Sequence, residues 1–133
     1  MIVDSSVLIA ILKREPEAAG FARALEGSES SAISAANFLE TAIVVDRWKE
    51  PILSRRLDEL IAQFSIEVEP VTAEQARIAR EAYRDYGRGS GHRANLNFGD
   101  CFSYALARVK REPILFKGGD FGHTDLQAAV QGA

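Results

Sequence analysis

Four acidic residues stand where a chain of alternating strands and helices would place its chemistry: Asp4, Glu40, Asp100 and Asp120. Asp4 directly follows the apolar run Met-Ile-Val, at the carboxyl end of what reads as a buried strand. Glu40 interrupts an apolar helical segment between Leu39 and Thr41, where a charge is costly unless it is paired, metal-bound or turned to solvent. Asp100 falls in the first turn of a helix that begins near Phe98, where the positive helix end favours the ionised carboxylate. Asp120 follows the strand-like Ile114 to Phe116 after a Gly-Gly turn, and Asp125, five residues on, competes with it.

Taken singly, each acid has an ordinary reading as a cap, a dipole partner or a solvated helix face. As a set they fit convergence on the carboxyl edge of a parallel sheet, where such sheets bind their ligands. Clustered carboxylates repel and raise one another's pKa values unless a cation lies among them. Oxygen ligands with no cysteine or nearby histidine suit Mg²⁺, or Mn²⁺, rather than zinc. A site of that kind most readily hydrolyses a phosphodiester, the metal activating water and stabilising the leaving oxygen.

The elements that must hold these acids are legible as an alternation. Strands are expected at residues 1–3, 31–33, 66–71 and 113–116, with a short edge strand near 128–130. Helices are expected at 6–13, capped by the Ser5-Ser6 pair, and at 17–25, with Pro16 in its first turn. Further helices are expected over 34–48, 52–64, 72–86 and 98–111, each with apolar residues at three- and four-residue spacing. Residues 87–97 carry three glycines and no apolar period, and so read as a functional loop. The alternation predicts an α/β fold with a mostly parallel sheet, and the length of 133 residues predicts one domain spanning 1–133.

The 47% hydrophobic and 26% charged content excludes wholesale disorder and collagen, and supplies one substantial core. A formal charge of -3 argues against indiscriminate coating of nucleic acid, but a carboxylate site awaiting metal inflates the acidic count. The lone Cys101 cannot form an intramolecular disulfide, which fits a cytoplasmic location, and reads as buried packing. The apolar run from Val7 to Leu12 is too short for a signal-peptide core or a membrane span.

At these same residues the sequence resembles the PIN-domain nucleases, specifically the VapC-type toxins of toxin-antitoxin pairs. MIVDSSVLIAIL resembles that family's opening strand, aspartate and hydroxyl-bearing helix start; SAANFLETAIVV resembles its second acidic motif. LNFGDCFSYALA is the most specific match, and ILFKGGDFGHTDL resembles the closing motif, so the likeness runs from Met1 to about Ala129. The resemblance implies a three-layer α/β/α sandwich and a Mg²⁺-dependent endoribonuclease neutralised by a cognate VapB-like antitoxin. It also implies that Asp4, Glu40 and Asp100 are metal-site acids with Asp120 the fourth, ahead of Asp125, and that Ser6 supports them.

Arg88, Arg93 and Asn97, in or beside the long loop, are candidates for holding RNA phosphates. Arg47, Lys49, Arg55 and Arg56 read as ordinary helix solvation, and neither His92 nor His123 is needed by the metal argument. An exposed apolar stripe is expected on the helices of Phe38 and Leu57, suited to homodimerisation and an antitoxin groove. Two other classes compete with the nuclease: a receiver-like signalling module, and a catalytically silent member that binds only RNA or a partner. A receiver needs paired early acids, whereas Asp4 is followed by Ser5-Ser6 and Glu40 lies on a helix.

Overall fold

A computed structural model describes residues 1–130; the remaining 131–133 of the expected domain lie outside the described residues. Four strands form one sheet: β1 (Ile2–Val3), β2 (Ser31–Ser34), β3 (Ile66–Glu69) and β4 (Ile114–Leu115). Their order is β3-β2-β1-β4 and every pairing is parallel, with Ile2 opposite both Ala32 and Ile114. Six helices connect them: α1 (Ser5–Leu12), α2 (Ala18–Gly27), α3 (Ala35–Arg47), α4 (Pro51–Gln63), α5 (Ala73–Tyr86) and α6 (Phe98–Lys110).

Because successive strand residues point to opposite faces, β1, β2 and β4 each contribute to two cores, whereas β3 gives only Ile66, to one of them. Ile2, Ala32 and Ile114 pack with α5 and α6. Val3, Ile33 and Leu115 pack on the other face with side chains of α1, α2, α3 and α4. The result is the three-layer sandwich, and its central strands β1 and β2 are buried along their whole length because both faces are covered. No helix among the described residues is long and apolar enough to cross a membrane.

The path of the chain creates the site. From β1 the chain moves outward to β2 and β3, then crosses back to lay β4 on the far side of β1. The sheet therefore has its topological switch point between β1 and β4, and the carboxyl ends of those strands open a crevice there.

Several boundaries differ from expectation, each for a local reason. Helix α1 begins at Ser5 because Asp4, rather than the serine pair, is its cap: a carboxylate competes well for an orphan amide. Pro16 lies in the turn before α2 rather than in the helix, and β3 stops at Glu69. The edge strand near 128–130 is reduced to one parallel bridge, Ile114 to Ala128, flanked by Ile114 N–H to Gln127 O at 3.0 Å. Residues 87–97 are better anchored than a structureless loop. Ala94 and Leu96 are wholly buried, and Leu96 N–H donates to Tyr86 O at 2.9 Å.

The helices of Phe38 and Leu57 do leave apolar side chains exposed, but not those two. Leu57 is 2% exposed and belongs to the core, and Phe38 packs against that core. The most exposed large apolar side chains include Leu39 and Ile43 on α3, Ile52 at the start of α4, and Tyr83 and Phe98 beside an α5–α6 groove. Helical period identifies a face of α3 and α4 but cannot say which apolar residues the sheet will cover.

Candidate active site

Asp4 is both the end of a strand and the start of a helix. Its N–H donates to Leu115 O at 3.0 Å, closing the β1–β4 ladder. Its carboxylate then turns into α1, where Oδ2 accepts from Ser6 N–H at 3.1 Å. Oδ1 accepts from the Ser103 hydroxyl of α6 at 2.6 Å, leaving Asp4 only 4% exposed. Ser6 ties the same turn to the chain leaving β4, its Oγ accepting from Lys117 N–H at 2.9 Å.

Asp100 is fixed by a reciprocal cap at the start of α6. Its N–H donates to Asn97 Oδ1 at 2.8 Å, and Asn97 N–H donates back to Asp100 Oδ2 at 2.9 Å. Asn97 thus holds the helix end and with it the acid. Glu40 sits on α3 with its carboxylate against the first turn of α6. A methyl group built on Gly99 would lie 2.3 Å from Glu40 Oε2, so glycine is what allows that approach. Ser5 Oγ lies 3.0 Å from Glu40 Oε1, within donating distance.

These placements bring the expected acids together electrostatically. Burial pushes the Asp100 carboxyl up from 3.8 to about 6; the Asn97 N–H opposes this, and the negative charges of Asp4, Asp120 and Glu40 add to it. Among the described residues, none of the four is in an ion pair with lysine, arginine or histidine. Nor do three acids close into a ready-made cage for an ion.

Asp125 stands elsewhere. Tyr104 OH donates to it at 2.6 Å and Arg108 pairs with it, on the side of α6 that faces α5. Its charge is already compensated, so Asp120 is the late acid whose field Asp100 feels. Arg88 and Arg93 are exposed on the loop before α6 and make no ion pair among the described residues. Cys101 is buried, and its thiol is pushed up to about 11 first by burial and then by Asp100, which leaves it protonated.

Sequence reasoning missed the polar residues behind the acids: Ser5, Asn37 and Ser103. Asn37 is 1% exposed and Ser103 wholly buried. Asn37 Nδ2 donates to Gly99 O at 2.9 Å, and the Ser103 hydroxyl lies 3.0 Å from Asn37 Oδ1. The available signal was a small polar residue at helical spacing inside an apolar stripe, as with Asn37, Thr41 and Val45.

The PIN domain family profile matches residues 1–126. The chain belongs to the PIN-domain family. Among related PIN proteins, Ribonuclease VapC28 of Mycobacterium tuberculosis is 58% identical over 130 residues, covering 98% of each chain. Ribonuclease VapC42 of the same species is 51% identical over 129 residues, covering 97% of this chain and 98% of that one. The crystal structure of Mycobacterium tuberculosis VapC20, titled a sarcin-ricin loop cleaving toxin, shares this PIN fold with a TM-score of 0.74 at 21% identity. It covers 94% of this chain and 95% of that one. VapBC2 from Rickettsia felis, solved with a DNA fragment from the promoter, also gives 0.74, at 12% identity over 96% and 94% of the chains.

Proposed function

We propose that this PIN domain is an endoribonuclease toxin, with Asp4, Glu40, Asp100 and Asp120 holding Mg²⁺ or Mn²⁺ for hydrolysis of RNA phosphodiesters. A VapB-like antitoxin neutralises it, and the active form is a homodimer in the cytoplasm. The observation that carries the reading is the uncompensated negative cluster: an Asp100 carboxyl raised to about 6 by burial and by three facing acids. A VapC ribonuclease 58% identical across the whole match supports the choice of RNA.

The donor set fits the ion. All four groups offer oxygen, and Asp100 Oδ1, Glu40 Oε2 and both Asp120 oxygens have no hydrogen-bond donor among the described residues. Mg²⁺ dehydrates reluctantly and keeps several waters, so an open arrangement in which some of the four carboxylates act through those waters suits it better than a closed cage would. When bound, Mg²⁺ supplies the positive charge that stabilises the attacking and leaving oxygens of phosphodiester hydrolysis.

The chain's own groups do the positioning. Ser6 N–H and Ser103 Oγ fix the two oxygens of Asp4, Asn97 fixes Asp100, and Ser5 steadies Glu40. Arg88 and Arg93 hold flanking phosphates as they enter, their guanidinium forks matching phosphate oxygens.

The test is cleavage of a total RNA preparation by the purified chain, followed by mapping of the new ends. Cleavage that EDTA abolishes and Mg²⁺ restores, and that Asp4→Asn lacks while remaining folded, is the expected result. Equal cleavage by Asp4→Asn, or cleavage indifferent to EDTA, overturns the reading.

A further inference from the structure

Asp4 follows β1, Glu40 lies on α3 and Asp100 on α6, and one buried residue of α3, Asn37, is linked to all three places, directly or through a serine. Asn37 Nδ2 donates to the carbonyl of Gly99, the residue before Asp100, at 2.9 Å. Its Oδ1 lies 3.0 Å from Ser103 Oγ, which in turn donates to Asp4 Oδ1 at 2.6 Å. Its backbone carbonyl lies 3.2 Å from Ser5 Oγ, the hydroxyl that also reaches Glu40 Oε1 at 3.0 Å. Thr41 Oγ1 donates to the same carbonyl at 2.7 Å and fills the turn behind it.

We infer that Asn37 is a positioning residue that sets the spacing of Asp4, Glu40 and Asp100, with Ser103 as its link to Asp4. Asn37 lies one helical turn before Glu40, so the turn of α3 that presents the acid is also the turn that is bolted to α6. Asparagine suits the post because it carries a donor and an acceptor on a short, uncharged stem. One face receives the Gly99 carbonyl, the other the Ser103 hydroxyl, and no charge is added to a cluster that already repels itself. Aspartate would add a charge and face the Gly99 carbonyl with a second acceptor. Leucine would leave the buried Gly99 carbonyl without its donor and remove the polar oxygen that lies against Ser103 Oγ, while Ser103 would still donate to Asp4. Residues that orient ligand side chains in this way typically govern metal affinity by about 10- to 100-fold.

The inference rests on the proposed metal-dependent reading, and the test separates the two. Mn²⁺ binding is measured on the purified chain by electron paramagnetic resonance of the free ion, with thermal melting in EDTA beside it. Ser103→Ala and Asn37→Ala are compared with Leu25→Val, a core substitution on α2 that touches none of the acids. The expected result is a Mn²⁺ dissociation constant raised about 10- to 100-fold by the first two and unchanged by Leu25→Val. Ser103→Ala removes a single oxygen, so it decides the matter alone if Asn37→Ala does not fold. A parent chain that binds no Mn²⁺ overturns the metal reading itself. A parent that binds, with a folded Ser103→Ala that binds equally well, overturns the positioning role and leaves the metal reading standing.

Discussion

Asp100→Asn separates what the acid does for the fold from what it does for chemistry. The folded chain raises the Asp100 carboxyl from 3.8 to about 6, so it binds that proton more tightly than the unfolded chain does. Stability from this proton is complete below about 3.8 and is lost as pH rises through about 6; above that, the ionised acid opposes folding. Roughly two pH units at 1.36 kcal/mol each set a ceiling of about 3 kcal/mol. Asp100 is only partly buried, and Glu40 and Asp120 are solvent-exposed, so screening reduces this to about 1–2 kcal/mol. The variant also gives up a charge that favours the helix start, about 0.5 kcal/mol.

The net expectation is that Asp100→Asn, without metal at pH 8, is more stable by about 1 kcal/mol and melts about 2–6 °C higher. Lowering the pH to 5 shrinks the difference, because the parent then carries most of its proton. Saturating Mg²⁺ reverses the order, since binding at 100 times the dissociation constant adds about 2.7 kcal/mol to the parent and less to the variant. Calorimetric or fluorescence melts at the two pH values, with and without Mg²⁺, read all three effects. A variant that melts below the parent at pH 8 in EDTA, with the gap unchanged at pH 5, refutes the electrostatic account of the cluster.

Asp120→Asn is expected to lose RNA cleavage with little change in melting. Asp125→Asn should keep cleavage and lose about 1 kcal/mol, because its partners are Tyr104 and Arg108 at a half-exposed site; the paired assays fail the assignment if these outcomes are exchanged. Gly99→Ala should fold as well as the parent, since the exposed end of Glu40 can swing away from the new methyl, but Mn²⁺ affinity should fall at least about 10-fold. An unchanged affinity in a titration would show that Glu40 is not held where the ion binds. Phe98→Asp, at a side chain 76% exposed, should barely affect melting while converting a dimer to a monomer in sedimentation. A dimer that persists places the interface elsewhere.

Asp4, Asp100 and Asp120 were visible in the sequence because each sits at a boundary that leaves a local trace, a strand end, a helix start or a glycine turn, and Glu40 was visible as a charge inside an apolar helical segment. Asp4 and Asp100 were recognisable by position, although their capping roles, offered as the bland alternative, turned out to accompany the clustering rather than replace it. What surrounds the acids was not visible. Asn37 reaches Gly99 across 62 positions and Ser103 reaches Asp4 across 99, and no local period encodes such pairings. The same limit applies to Leu57 and Leu39. Both are apolar residues of amphipathic helices, and only the packed sheet decides that one is 2% and the other 58% exposed. Residues 87–97 misled for the converse reason, since two buried side chains, Ala94 and Leu96, are too few to make a period.

The central position of β1 has a consequence for when the site comes into being. One edge of β1 is met by β2, some thirty residues later in the chain, but the other waits for β4 at Ile114–Leu115. Asp4, Ser103 and the turn carrying Asp120 therefore meet only after nearly all of the chain is present to fold. During synthesis the earliest acid to emerge is among the last to be completed. A nascent copy in which β4 has not yet emerged lacks the crevice altogether, so any hazard this protein poses to RNA is deferred until β4 is laid beside β1, which leaves an interval in which a partner can be waiting for it.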